Sequence, residues 1–370
     1  MKNLIVTLLS DQTIPNVQFI KEKQNGETVF LFVSTSRMEE KGVRIWIQKV
    51  CDIPVDMTIT KIIDQFSSTD IENKLSEINY DSYDKIIVNV TGGTKIMSHF
   101  VTEFFKEKPD AEIYYLTGTD NNILQVFPKT KQSQKAISCN ITLKEYVESH
   151  GFEINEGKMS GINADYSQGF LSSFLGFSDN ERTIVNKLRD YRNKNSFKVS
   201  EIDGLLDILC AINFPTNDYY LTIRKNQIKY LTGDWFEEYI YHRLKSELNL
   251  SDDYIKTGIT LTKGNTANEF DVVFLWNGKL YTIECKTSIK NKTKDGEQNI
   301  LNDTIYKATA LQKNLGLYSI FSICTLSSKE NGEVRENHLT RGKLFNIEVF
   351  CKEDIITCQS IAKLLKLKQC

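Results

Sequence analysis

The run from Glu269 to Lys286 carries the side chains best suited to chemistry: Asp271 on one β-rich segment, Glu284 and Lys286 on the next. Between the segments stands Asn277-Gly278, a pair that tolerates the positive φ demanded by a two-residue hairpin loop. With that loop Asp271 falls opposite Glu284, their Cβ atoms about 5 Å apart on one face, and Lys286 shares that face opposite Glu269. Two facing carboxylates repel unless a cation lies between them, and oxygen ligands suit a hard divalent ion, Mn²⁺ or Mg²⁺. The Cys285 side chain is expected on the other face, with its backbone carbonyl as a further ligand. An ion at Asp271 and Glu284 supplies hydroxide, and Lys286 steers it or offsets charge on a phosphorane-like transition state, so the group is equipped to hydrolyse a phosphodiester. A solvated cross-strand cluster is the bland alternative, but the hydrophobic neighbours Val272, Val273, Phe274 and Ile283 argue for enclosure. Lys290, Lys292 and Lys294 follow, as a solvated loop or as a lip for a nucleic-acid backbone.

A hairpin needs a scaffold, and the flanking periodicity provides one: a helix over 234–247, strands near 254–262, 269–276 and 279–285, a helix near 302–314, a strand near 317–325 and a final helix near 353–366. The first 148 residues read differently. Leu4–Leu9, Val29–Val33 and Lys85–Val90 are short apolar runs that alternate with the helix-period segments Val43–Val50, Ile71–Ile78 and Lys95–Phe105, the pattern of a mostly parallel, Rossmann-like sheet covered on both faces. Ligands then bind beyond the carboxyl ends of the strands. Three polar strand ends collect at that rim: Ser10, Asp11, Gln12, Thr13, Ile14, Pro15 and Asn16 after the first strand, Ser34, Thr35 and Ser36 after the second, and Thr91-Gly92-Gly93-Thr94-Lys95 after the third. Glycines opening a helix let backbone approach an anion. Neither GxxxxGK[ST] nor GxGxxG is present there, which leaves ATP hydrolysis and NAD binding unsupported. Residues 149–224 are mostly polar and helical, a connector whose role the sequence does not reveal.

The chain has 370 residues, 40% hydrophobic and 25% charged, which suits two or three folded domains and excludes disorder as the dominant state. Lys plus Arg number 46 against 48 for Asp plus Glu, so any nucleic-acid contact must rest on local charge. None of the eight cysteines forms a CxxC pair, which removes zinc ribbons and thioredoxin-like chemistry and suits free thiols in the cytoplasm. No run of about 18 apolar residues occurs, so no membrane span is expected.

Taken together, SDQTIPN, VTGGTKIM (ending at Met97), GDWFEE, NEFDV and IECK resemble the CRISPR-associated proteins that join a Rossmann-like CARF domain to a PD-(D/E)xK, restriction-endonuclease-like domain. One departure is Asp11, where that family favours Glu. The resemblance implies an α/β protein with a CARF domain over 1–148, a connector over 149–224 and a nuclease domain over 225–370. It implies Asp271 and Glu284 as metal ligands, Lys286 as the catalytic lysine and Glu237 as a helix-borne acidic partner, Glu238 facing about 100° away on the helix. It further implies a homodimer that binds a cyclic oligoadenylate, chiefly cyclic tetra-adenylate, on the rim residues and Met97, and then cleaves single-stranded RNA or DNA with Mn²⁺ or Mg²⁺. Two other readings stand beside it: a CARF regulator that binds nucleic acid without cutting, and a ring nuclease that destroys its own activator.

Overall fold

The computed structural model describes residues 2–118, 121–130, 133–157, 159–216, 220–293 and 296–367. The N-terminal half is an α/β sandwich built from β1 (Lys2–Leu8), α1 (Ile14–Lys23), β2 (Glu27–Ser34), α2 (Ser36–Lys41), α3 (Val43–Val50), β3 (Thr58–Ile62), α4 (Ser68–Ser76), β4 (Lys85–Asn89), α5 (Lys95–Lys106), β5 (Ala111–Thr117), β6 (Asn122–Phe127) and β7 (Gln134–Ala136). Its sheet order is β3-β2-β1-β4-β5-β6-β7, parallel as far as β5 and antiparallel beyond it. The alternation of side chains explains why both faces are covered. Leu4, Val6 and Leu8 pack with α4 and α5 residues Ile71, Leu75, Val101 and Phe105, while Ile5, Phe30 and Phe32 pack with Val17, Phe19 and Ile47 of α1 and α3. Strand order reverses between β1 and β4, and the crevice that opens at such a switch point lies between the loops that follow those two strands.

After α6 (Leu143–Ser149) the chain adds β8 (Glu153–Asn155), then α7 (Ala164–Gly176), α8 (Asp179–Lys187), β9 (Ser196–Lys198), α9 (Leu205–Ala211), β10 (Thr222–Arg224) and α10 (Lys225–Lys229). The C-terminal half holds α11 (Trp235–Glu247), β11 (Ile255–Lys263), β12 (Thr266–Trp276), β13 (Lys279–Lys286), β14 (Lys290–Thr293), β15 (Gly296–Asn299), α12 (Leu301–Gln312), β16 (Ser319–Thr325), α13 (Glu336–Leu344), β17 (Ile347–Phe350), α14 (Lys352–Thr357) and α15 (Ile361–Leu364). The single closing helix expected near 353–366 is two short ones, separated where Cys358 adopts an extended backbone. The second sheet runs β17-β16-β13-β12-β11-β8, so the connector lends it an edge strand. The connector also shares a core with this half: Phe170, Leu188 and Leu209 belong to one apolar cluster with Trp235, Phe236, Val272 and Phe274.

On the opposite face, Phe270, Leu280 and Phe321 cluster with Ile14, Leu143 and Tyr146 of the N-terminal half. The Tyr146 hydroxyl donates to the Leu315 carbonyl (3.0 Å) and its ring stacks on buried His150. The two halves therefore meet through a common apolar core, and free relative motion is not the default for such a junction.

Candidate active site and ligand pocket

The Asn277-Gly278 loop gives the expected register, Trp276↔Lys279 through Val272↔Ile283, with positive φ at both loop residues. The backbone ladder ends one step short of Asp271 and Glu284, which corrects the direct pairing read from the sequence. Alternation breaks there: Phe270 packs on one face of the sheet and Val272 on the other. The neighbouring strand switches faces with it, Ile255 lying with Phe274 and Ile259 with Phe270, across Gly258 at φ +59°. The β12–β13 ladder also stops short of Glu269, so Glu269 does not face Lys286 on it as expected; Glu269 pairs with Thr260 of β11 and is exposed.

The kink leaves the Asp271 carboxylate to accept the Cys285 amide (2.7 Å). Lys286 then joins the two acids, its Nζ 2.7 Å from Glu284 Oε1 and 3.4 Å from Asp271 Oδ2. Glu237, on the first turn of α11, completes the group. Burial, with the Asp271 and Asp234 charges adding to it, pushes the Glu237 carboxyl well above its ordinary range. Burial and the Glu284 charge raise Asp271 to about 6, against the pull of Lys286 and the Cys285 amide. Burial alone would lower Lys286, but Asp271 and Glu284 hold its ammonium above the usual lysine value. Glu238 is turned away as expected: it is buried and accepts hydrogen bonds from the Ser160 amide (2.8 Å) and hydroxyl (2.9 Å), fastening the connector to α11.

Among the described residues no three His, Cys, Asp or Glu side chains already converge as a metal cage. The cation between Asp271 and Glu284 in this arrangement is Lys286 itself. The donor set nevertheless fits a hard divalent ion, because it is all oxygen and because its buried carboxylates carry more negative charge than one ammonium offsets. The Cys285 thiol lies in the apolar cluster and burial keeps it protonated, so it is no ligand. Asp271, Lys286 and Glu237 line a cleft of about 660 Å³. Of the lysines after the motif, Lys290 is exposed and pairs with Glu333 (3.3 Å), while the Lys292 side chain and the whole of Lys294 lie outside the described residues.

At the rim of the first sheet the structure separates facing residues from supporting ones. Asn16 is fully buried and bonds Thr7, Asn89 and the Leu8 carbonyl. Thr13 is buried against Ser149, and Ile14 belongs to the core shared by both halves. Ser34 bonds Glu39 (2.7 Å), and Thr35 caps α2 through the Met38 amide. Met97, in the first turn of α5, is buried in the core beside β1. These six are buried and shape the loops from inside. What remains toward solvent is Ser10, exposed Asp11, Gln12, half-buried Pro15, exposed Ser36 and the turn from Thr91 to exposed Lys95, apart from buried Gly92. Asp11 is paired with Lys41 (2.5 Å) and Arg37 (3.6 Å). Thr91 ties the turn to β5 by accepting the Leu116 amide (2.8 Å), and Thr94 caps α5 through the Met97 amide (3.1 Å). A Cβ at Gly92 would stand 2.2 Å from the Leu8 carbonyl oxygen, and Gly93 has φ +73°, so both glycines are demanded by the close approach of this turn to β1. Sequence reading missed the basic wall of the cleft, Arg189, Arg192 and Lys229, because those residues carry no motif.

Comparison with known proteins places residues 4–146 in the Card1 CARF domain model and residues 224–361 in the Card1-like endonuclease domain model. No curated protein matches the sequence. Among solved structures, Can2 from Sulfobacillus thermosulfidooxidans in complex with cyclic tetra-adenylate superposes with a TM-score of 0.69 at 22% identity, over 94% of this chain and 92% of that one. Protein VC1899 from Vibrio cholerae gives 0.74 at 15% identity over 95% of each chain. A type III CRISPR defence DNA nuclease activated by cyclic oligoadenylate gives 0.53 at 14% identity over 87% of this chain and 45% of that one. At these identities the likeness is one of fold.

Proposed function

Because the chain belongs to the family that joins a Card1-type CARF domain to a Card1-like endonuclease domain, we propose that it is a nuclease of CRISPR defence switched on by a cyclic oligoadenylate, cyclic tetra-adenylate foremost. The observation that carries this reading is the pair Asp271 and Lys286 lining a cleft, with Glu284 held on Lys286, on the same chain as a glycine turn suited to anions. Binding alone gives no reason to bury two carboxylates against one lysine. We assign domain limits of 1–148, 149–224 and 225–370; because the connector shares an apolar core with the nuclease half, it works as part of that half.

Asp271 and Glu284 would hold Mn²⁺ or Mg²⁺, which when bound would supply an activated water and offset the negative charge of the phosphate. Lys286 donates hydrogen bonds to the phosphodiester oxygens as charge builds on them. Burial pushes the Glu237 carboxyl well above its ordinary range, the direction that suits a proton donor within the cleft. On the other half, the amides at the start of α5, with Lys95 at its first position, meet the phosphates of the ring. A cyclic tetranucleotide on a two-fold axis needs two such half-sites, hence a homodimer. The substrate is single-stranded RNA or DNA. The described cysteines are all free and no described helix is long and apolar enough to cross a membrane, which suits a cytoplasmic protein.

The test is cleavage of labelled single-stranded RNA and DNA by the full-length protein, with and without cyclic tetra-adenylate and Mn²⁺. Product in the presence of both is the expected result. Failure to cut in every combination, with activator still bound, would leave a ligand-binding regulator, and disappearance of the activator itself would point to a ring nuclease.

A further inference from the structure

The cleft has two chemically different walls. Its floor is the acidic group on β12, β13 and α11, and facing it stand Arg189 and Arg192, just past α8, and Lys229 at the end of α10. Arg192 is committed within the protein: its guanidinium bonds Asp234 (3.0 Å), the residue that precedes α11, and so pins the connector beside Glu237. Arg189 and Lys229 are exposed, and neither is a partner in any ion pair among the described residues, unlike Arg192 and Lys194 nearby. Arg182, about two helical turns before Arg189, shows the contrast, because its guanidinium is used up on the carbonyls of Phe174, Leu175 and Phe177 and on the Phe174 ring.

Arg189 has a second property of position. A neighbouring cleft of about 510 Å³ lies between the connector and the strand ends of the second sheet, and Arg189, Thr232, Thr287 and Ser288 line both cavities. The two clefts thus join along Arg189, Thr232, Thr287 and Ser288, with Arg189 the charged side chain among them. A flexible chain of phosphodiesters can pass from one cleft to the other over that ridge. The walls on either side leave each cleft the size of a small-ligand site, which suits a single strand and excludes a stiff duplex.

We propose that the connector is the substrate clamp, with Arg189 and Lys229 holding phosphodiesters of a single-stranded nucleic acid that flank the one presented to Lys286. This rests on the nuclease reading above and adds to it the element that positions the strand. Neither residue touches the reacting atoms, so both are positioning residues.

Full-length protein with cyclic tetra-adenylate, and with a chelator to prevent cutting, is titrated with short labelled single-stranded RNA and with the matching DNA at several salt concentrations. Each lost phosphate contact should lower the slope of log affinity against log salt by about 0.7. Arg189→Ala and Lys229→Ala should each show that loss with either nucleic acid, Arg189→Lys should restore it, and in cleavage assays with metal KM should rise while kcat holds. The thermal midpoint should not move, since both side chains are exposed. If the parent binds and cuts while both alanine variants keep its slope and KM, the clamp is overturned and the nuclease reading survives. If the parent neither binds nor cuts either strand, both fall.

Discussion

Gln12 and Leu317, 305 positions apart, are joined by a hydrogen bond of 2.7 Å in which the Leu317 amide donates to the Gln12 carboxamide oxygen. Gln12 belongs to the loop that follows β1 at the ligand rim. Leu317 leads into β16, which pairs in parallel with β13 from Leu280↔Ser319 to Lys286↔Thr325. The contact ties the rim loop to the strand that lies alongside Glu284 and Lys286.

Gln12→Ala removes that acceptor without touching either apolar core. At saturating cyclic tetra-adenylate the activated cleavage rate should fall by about fivefold or more, the lower end of a typical coupling energy. Calorimetric affinity for the activator should change little. An unaltered ratio of activated to basal rate would show that the contact carries no signal.

Lys286→Met leaves Asp271 and Glu284 facing one another with no cation between them. Cleavage should drop about 10²–10³-fold, as when a preorganised transition-state donor is lost, while activator affinity is retained. Activity within a few-fold of the parent would sink the catalytic assignment of Lys286.

The pH dependence follows from Asp271, raised from 3.8 to about 6. Between those values the folded chain holds a proton that the unfolded chain has released, so stability falls as pH rises through the window and the full cost is present above it. In chelator, the thermal midpoint of Asp271→Asn should gain on the parent's as pH rises from about 4 to about 6, then run parallel. Cleavage by the parent should rise through about pH 6 at low Mn²⁺, and more Mn²⁺ should move the midpoint downward because it favours the ionised form. Asp271→Asn should need far more Mn²⁺ for the same rate.

Gly92→Ala and Lys95→Ala separate shape from charge at the turn. The first brings a methyl against the Leu8 carbonyl and should cost about 1–3 kcal/mol in stability along with activator binding. The second should weaken activator binding at an unchanged thermal midpoint. Calorimetry should find one ring per dimer, and one per monomer would refute the shared site.

Much of this was legible in the residues. Asn277-Gly278 fixed the hairpin because a two-residue loop leaves one register, and buried apolar runs alternating with helices announced the first sheet. The fate of SDQTIPN was not legible: Asn16 and Gln12 are alike as letters, yet one is sealed behind β1 and the other reaches Leu317. The slip at Asp271 was hidden too, since it arises from two strands changing face together across Gly258. The connector's helices could be seen, but the packing of Phe170 and Leu188 against Trp235 depends on partners far away in sequence.

The apolar cluster that unites Ile14, Leu143 and Tyr146 with Phe270 and Phe321 has a consequence for modular exchange. A chimaera cut at residue 148 would carry Tyr146 away from Leu315, and Gln12 away from Leu317, leaving each half with an exposed greasy flank. Sensors of this kind cannot be swapped like cartridges. A working graft must bring its own version of residues 315–318, and lineages that trade ligand specificity should be found to have inherited both sides of the seam together.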